Sequence, residues 1–436
     1  MATFSNMIFL FLCCVFFVSA GSSDPFEDDV ETDLTNDMNL FSSNLFNVSA
    51  GSSAPLADVE SELTESINLF TSDLFKVISN DKDYYAGKNL IISAMSADMV
   101  LAMLSLGAKG KTLDEINAGL YLPNSSFTKA AYMPAIDKMN DYTFVTLHLA
   151  FKVYISEKYE LNPLYKTYVT HYFGSEVESI DFGKNAEAAA KINSWVEEKT
   201  VKTIKKIVKA DEFDKNTSLI LVNTIYFKGK WENQFSPYNT KKDSFNVSAT
   251  KQIQIPMMFQ ENYTKYAESA ELDAKMLELN FEGEEMTMVF ILPNEVDGLA
   301  ALEEELIKNY TKLKDMYDSL QTQNVTMLLP RFKIETAAEL TPYLTDLGIK
   351  TMFTNDADLS GLLANNPLPL KANKVTHKAY IDVNEKGVTA GAATDVEFNL
   401  DTPNIDILFN ANHPFCFGLV NSDGQIVFSG HFTGEK

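Results

Sequence analysis

The chain has 436 residues, 45% of them hydrophobic, and a formal charge of −24 with a pI near 4.6. That length holds two or three domains, or one large mixed domain with a substantial core. The charge excludes a general nucleic-acid binder, since phosphate contacts need Lys and Arg, and otherwise reads as a solvated surface.

Residues 1–20 contain no charged side chain and include the apolar run Met7–Val18, followed by small residues at Ser19 and Ala20. The pattern predicts a secretory signal peptide over 1–20, although Lys and Arg are missing from its start. The run is short for a membrane span, and no other segment is apolar for long enough to make one. The product is therefore expected to be secreted and extracellular, with no membrane partner. Cys13 and Cys14 leave with the signal. Cys416 then stands alone in an apolar run and reads as a buried, inert thiol. Sequons at Asn47, Asn124, Asn216, Asn246, Asn262, Asn309 and Asn324 agree with a secreted glycoprotein.

Residues 21–62 read as an acidic extension that contains half of a duplication. Leu34–Val48 recurs as Leu63–Val77, and Val18–Ser23 recurs as Val48–Ser53. In the second copy apolar residues fall at 63, 67, 70, 74 and 77, one face of an amphipathic helix. Two copies are too few for a solenoid. The second copy is expected to dock on the body, and the first, with Asp24–Asp33, to be a mobile extension.

Beyond it, helices and strands mix without βαβ alternation. The pattern predicts helices over Ser96–Leu106, Ala186–Val208 and Leu340–Leu347. Leu219–Phe227 is apolar and β-branched, as a buried strand is. Leu277–Leu292 reads as two strands joined at Glu282–Glu284. Further strands are expected at Val325–Leu329, Ala379–Val383, Ile405–Phe409, Phe415–Val420 and Gln425–Ser429. An α+β fold with large mixed sheets fits best.

No catalytic constellation assembles. His148, His171, His377, His413 and His431 show no metal-ligand spacing, so neither a metal nor a cofactor is expected. There is no nucleophile elbow. Gly107–Thr112 departs from a phosphate loop and reads as a helix end. The acidic runs Glu197–Glu198 and Glu303–Glu305 and the strip Lys202, Lys205, Lys206 and Lys209 read as solvated helix faces.

Glu385–Thr394 is small, weakly polar and rich in Ala and Gly, and it follows a β-type run. Such a segment suits a loop in one state and a strand in another. Val375–Gly387, followed by these small residues, resembles the reactive-loop hinge of the serpin family. Asn89–Ser96 and Leu104–Thr112 are similar to the family's second helix and its approach. Ala189–Ile207 is similar to the helix over the main sheet, and Leu221–Glu232 with Phe235 to a family strand motif. Leu329–Phe332, Ala357–Gly361, His413–Phe415 and Phe428–Gly430 follow in family order. The series covers roughly residues 63–432 and is very specific.

The resemblance implies an α+β serpin fold over 63–436, with three β-sheets, about nine helices and an exposed reactive-centre loop around 385–404. It implies an inhibitor rather than an enzyme, acting as a monomer. The partner would be a target serine protease, or a papain-like cysteine protease, held in a covalent complex. The cleaved loop inserts into the central sheet and the protease is trapped before deacylation. Ten inserted residues at ~1 kcal/mol per hydrogen bond would gain on the order of 10 kcal/mol, so the native state must be held by kinetics.

The hinge would comprise Glu385, Gly387, Val388, Ala390, Ala392 and Thr394. By period two, Val388, Ala390, Ala392 and Thr394 share one face. The resemblance carries over Ser93, Ser96, Asn223 and His377 as a cluster that lets the sheet open. It carries over Trp231, Arg331 and Glu385 as the group at the top of the sheet. Val388, Thr389 and Ala94 depart from the commoner family residues, and no basic cluster suggests a heparin site.

Family spacing places the reactive bond between Asp401 and Thr402, beside Leu400. Asp401 suits an Asp-preferring protease. Leu400 suits the apolar second pocket of a papain-like enzyme or, with slippage by one residue, a chymotrypsin- or elastase-like one. The acidic residue at that bond also motivates an alternative: a non-inhibitory serpin with a binding, storage or chaperone-like role.

Overall fold

The computed structural model describes residues 54–81, 83–85, 87–308, 310–365, 369–388 and 407–435. The expected signal segment, most of the acidic extension with the first repeat copy, and the sequons Asn47 and Asn309 lie outside the described residues. So do Ala390, Ala392, Thr394, Leu400, Asp401 and Thr402. From Val59 onward the described residues form one compact unit. Of Met1–Asp58 only residues 54–58 are described, as the start of the first helix.

That helix, α1 (Ala54–Ser79), contains the second repeat copy. Leu63, Ile67, Phe70, Leu74 and Ile78 are buried along one side. The last buried apolar position is Ile78 rather than Val77, because a straight helix drifts from a strict 4–3 alternation. Asn68 adds a polar anchor: its side chain donates to Gly424 O and accepts from Ile426 N, both at 2.8 Å.

The chain next forms β1 (Leu90–Ile92), α2 (Ala94–Ser105), α3 (Gly110–Gly119), α4 (Ser125–Asn140), β2 (Thr146–Ser156), α5 (Pro163–Phe173), β3 (Val177–Ile180) and α6 (Asn185–Lys199). It continues with β4 (Leu219–Lys230), β5 (Lys241–Ser248), β6 (Lys251–Ser269), β7 (Ala274–Asn280), β8 (Met286–Pro293), α7 (Leu299–Lys308) and α8 (Tyr310–Asp318). Last come β9 (Gln321–Pro330), β10 (Phe332–Glu339), α9 (Thr341–Asp346), β11 (Lys374–Asn384), β12 (Gly387–Val388), β13 (Leu408–Asn410), β14 (Phe415–Asn421) and β15 (Ile426–Phe432).

One sheet has the order β10-β11-β12-β4-β2-β3. The other strands run β1-β15-β14-β8-β7-β6-β9-β13, with β5 also on β6. The long β6 joins two strand groups: its first part pairs with β5 and β9, its last residues with β7. The second and third expected sheets therefore share a strand.

α2 is buried on every side and capped by the Ser93 side chain. The expected helix Ala186–Val208 is shorter than its apolar spacing suggests. α6 ends at Lys199, and Val201 and Lys202 take left-handed φ of 49° and 62°. Asn193 then holds the returning chain by accepting from Ile207 N and Val208 N. Ile207 and Val208 reach the core from a loop, not from a continuous helix.

Candidate functional site

β4 and β11 pair in parallel at the centre of the first sheet, and β12 enters that seam from above. The direct register runs from Lys374↔Ile220 to Ala379↔Ile225 and goes no further. Above it Gly387 and Val388 lie between the two strands, antiparallel to both. Val388 faces Gly229 on one side and Val383 on the other and is fully buried. Gly387 has φ of +140°, and a Cβ there would meet Gly229 O at 2.1 Å. Only glycine fits this approach.

At the middle of the seam the structure brings Ser93, Ser96, Asn223 and His377 together, all buried. His377 Nδ1 donates to Asn223 Oδ1 at 2.6 Å, and its Nε2 accepts from Ser93 N at 3.2 Å. Ser96 Oγ lies 3.0 Å from Asn223 Oδ1, and Asn223 Nδ2 donates to Thr376 O at 3.2 Å. These partners fix a neutral imidazole. Burial pushes it further that way, to about 3. The ring orders hydrogen bonds and has nothing to protonate.

At the top, the Glu385 carboxylate accepts from Thr240 Oγ1 at 2.8 Å and pairs with Arg331 Nη1 at 3.4 Å. Trp231 lies close by: its indole donates to Asn384 O at 2.9 Å, and its ring stacks on Phe281 at 4.5 Å. Main-chain bonds Trp231 N→Lys386 O and Phe235 N→Glu385 O, at 2.9 and 2.8 Å, tie the hinge to the loop after β4. Thr240 gave no signal in the sequence.

Asp98 was also missed, although it is the single charge in the apolar run Ala94–Leu106. It is fully buried in α2, and its two oxygens lie 2.8 and 2.5 Å from the Tyr132 hydroxyl on α4. Burial pushes the carboxyl up to about 7, against the opposing Tyr132 bond. Glu303 corrects the reading of a solvated acidic face: it is 2.6 Å from the buried His431 Nδ1 and 3.8 Å from Cys416 Sγ. Burial and that carboxylate push the Cys416 thiol well up, so it is inert. Of the sequons, Asn124 and Asn216 are exposed, and Asn246, Asn262 and Asn324 are half-buried.

The family description "Serpin (serine protease inhibitor)" matches residues 65–434. The chain belongs to the serpin family. It is 38% identical to alaserpin of Manduca sexta over 79% of this chain and 87% of that protein. It superposes on Serpin48 of Tenebrio molitor with a TM-score of 0.78 at 31% identity, covering 88% of this chain and 99% of that one. Human thyroxine-binding globulin superposes with a TM-score of 0.77 at 26% identity over 85% and 99%. The fold is therefore the serpin fold. The described residues hold nine α-helices, and the family's members are protease inhibitors and not enzymes.

Replacing Gly387 by Ala is expected to expel β12 from the top of the seam. Hydrogen exchange at the Val388 amide checks this, and unchanged protection would refute the close-approach argument. His377 and Asp98, both buried in the core, act in opposite directions on stability. Unfolded His titrates near 6.5 and unfolded Asp near 3.9. His377 is held below its unfolded value, so its contribution is full above pH ~6.5 and falls as pH drops towards 3. Asp98 is held above its unfolded value, so its contribution is full below pH ~4 and is lost as pH rises towards 7. Between these limits the two slopes cancel. Asp98→Asn should therefore steepen the acid loss and remove the fall in stability near pH 7, on the order of 1 kcal/mol between pH 6 and 8. Melting temperature against pH for both proteins reads this directly.

Proposed function

We propose that this serpin is a secreted suicide inhibitor whose loop, cut near Asp401–Thr402, inserts between β4 and β11. The position of β12 carries the reading. Continuing its register downward gives Ala390 opposite Phe227 and Ile381, and Ala392 opposite Ile225 and Ala379. Thr394 falls opposite Asn223 and His377. Ile225↔Ala379 and Asn223↔His377 are the very pairs that now close the seam. Each strand edge exposed by opening would thus be met by a residue in register. The face shared with Val388 meets only buried neighbours, and Ala390, Ala392 and Thr394 bring no charge to it.

Leu400, Asp401 and Thr402 would set which protease cuts. Pro403 restricts the backbone just after the bond. The partner would be a serine protease or a papain-like cysteine protease, held as an acyl-enzyme. Export rests on the apolar leader and the sequons.

Incubation with a panel of serine and cysteine proteases is expected to give a covalent complex that survives SDS, and cleaved protein with a raised melting temperature. Cleavage with neither result would overturn the reading. Ala392→Arg would place a guanidinium between Ile225 and Ala379, where an unpaired buried charge costs several kcal/mol. It should turn the inhibitor into a substrate, with no trapped complex.

A cavity of about 420 Å³ supports a second reading, the binding of an apolar ligand. α1, α8, β14 and β15 line it through Asn68, Phe75, Leu313, Tyr317 and Cys416. Thr71 Oγ1 and Ser429 Oγ, also in its wall, are buried without a hydrogen-bond partner. Thyroxine-binding globulin, similar in fold, has been seen with thyroxine. Titration with 8-anilinonaphthalene-1-sulfonate should give enhanced fluorescence that thyroxine displaces and that Leu313→Trp abolishes. A dye response unaffected by the variant would remove the cavity from consideration.

A further inference from the structure

Five sequons lie on described residues, and their surroundings differ. Asn124 caps α4 by accepting from Phe127 N. Asn216 is folded back on Asp214. Asn262 pairs across the sheet with the buried Val325, and its oxygen accepts from Tyr263 N. Asn246 is paired to Gln252. Asn324 stands on the opposite face from Asn262. Its cross-strand partner is Tyr263, which is 70% exposed.

We propose that Asn324 is an N-glycosylation site whose first sugar rests on the Tyr263 ring. Directly opposed residues on antiparallel strands have Cβ atoms about 5 Å apart, which suits a ring beside a sugar attached to the neighbouring amide. Along β6, Glu261, Tyr263 and Lys265 are exposed while Tyr266, and Val325 on β9, face inward, so the Tyr263–Asn324 pair projects outward. A tyrosine this exposed stabilises little by itself, because its apolar area stays in water. The C–H face of N-acetylglucosamine would cover that ring, a contact of the same kind as other packing on aromatic faces. Asn324 Nδ2 donates to Glu261 Oε1 at 3.0 Å. An amide nitrogen keeps one hydrogen after glycosylation, enough for this bond when the sugar replaces the other.

The covalent step uses a polyprenyl-diphosphate oligosaccharide and an oligosaccharyltransferase. The Asn324 amide nitrogen attacks C1 of the terminal N-acetylglucosamine. A C–N bond forms, the C1–O bond to diphosphate breaks, one amide proton passes to a base of the transferase, and polyprenyl diphosphate leaves. Thr326 completes the sequon and is also the first β9 residue paired with β13. The glycan would stand beside the strand that follows the reactive loop.

The proposal rests on the secretory reading, so the test has two arms. The full chain is produced in a glycosylating cell line behind its own residues 1–20 and, in parallel, behind an exogenous signal. Peptide mapping after enzymatic deglycosylation in heavy-oxygen water identifies each occupied asparagine. Occupancy of Asn324 in the exogenous arm is expected, and a bare Asn324 there overturns the site. Retention in the first arm alone would sink the secretory reading and leave the site standing. The platform is read separately. Tyr263→Ala and Asn324→Gln should be coupled by about fivefold in unfolding rate in the glycosylated protein and be additive in bacterial protein. Additivity in both overturns the stacking.

Discussion

The parallel contact between β4 and β11 is the constraint on which the rest of the molecule depends. It is short, ending at Ala379↔Ile225. Parallel pairs are slightly weaker per residue than antiparallel ones. Above the seam the strands separate and β12 supplies both edges with antiparallel partners. A strand continuing that path would exchange one parallel ladder for two antiparallel ladders. Under the proposed insertion, the closed sheet would not be the best use of its own strand edges. Its persistence would then be a matter of the barrier to opening.

Polar groups placed where water cannot reach would oppose that opening. His377 and Asn223 are register partners across the seam and also bond through their side chains. Thr224 Oγ1 adds a bond to Lys378 O at 2.9 Å. Breaking such bonds without replacements costs the desolvation of each group. α2 fixes the other side of the cluster, because its capping residue Ser93 presents the amide that His377 accepts. Lys378 ties the loop after α6 to the same strand: its Nζ donates to Lys206 O at 2.8 Å and pairs with Glu335 at 2.6 Å. Sheet, buried helix and covering loop thus meet on adjacent residues of β11.

Much of the fold was legible where one signal dominated. The β-branched run from Leu219 marked β4, and Gly283 with Glu284, both at positive φ, marked the turn before β8. The helix proposed to Val208 was overextended because Ile204, Ile207 and Val208 are buried from a loop that sequence periodicity cannot distinguish from a helix. β10 alternates buried and exposed residues throughout, yet its inward positions include Thr336, which weakens the apolar alternation. The seam cluster was beyond composition and spacing, since Ser93 and His377 are brought together only by tertiary pairing. Resemblance supplied those residues, and the coordinates supplied their geometry. Asp98 was legible as a lone charge in an apolar helix, but not its Tyr132 partner.

The top of the seam explains why the hinge enters at all. β12 approaches β4 at Gly229, and Gly387 itself carries no side chain, so two backbones meet where a Cβ would clash. Gly229 is needed for a second reason: a Cβ there would strike Phe281 and Phe227. Phe227 packs on Phe281, and Phe281 stacks on Trp231, which in turn holds Asn384 O. The aromatic group thus sets the height of the strand end, and the two glycines set the gap. Glu385 then fixes the direction of entry by its bonds to Thr240 and Arg331. A strand seated this way has one register available, the one that puts Val388 into the core. Shifting it by one residue would bury Lys386 in place of Gly387 and turn Val388 outward. Under the proposed insertion, the register that would carry each small residue to a buried row is therefore set at the entrance, before the seam below opens.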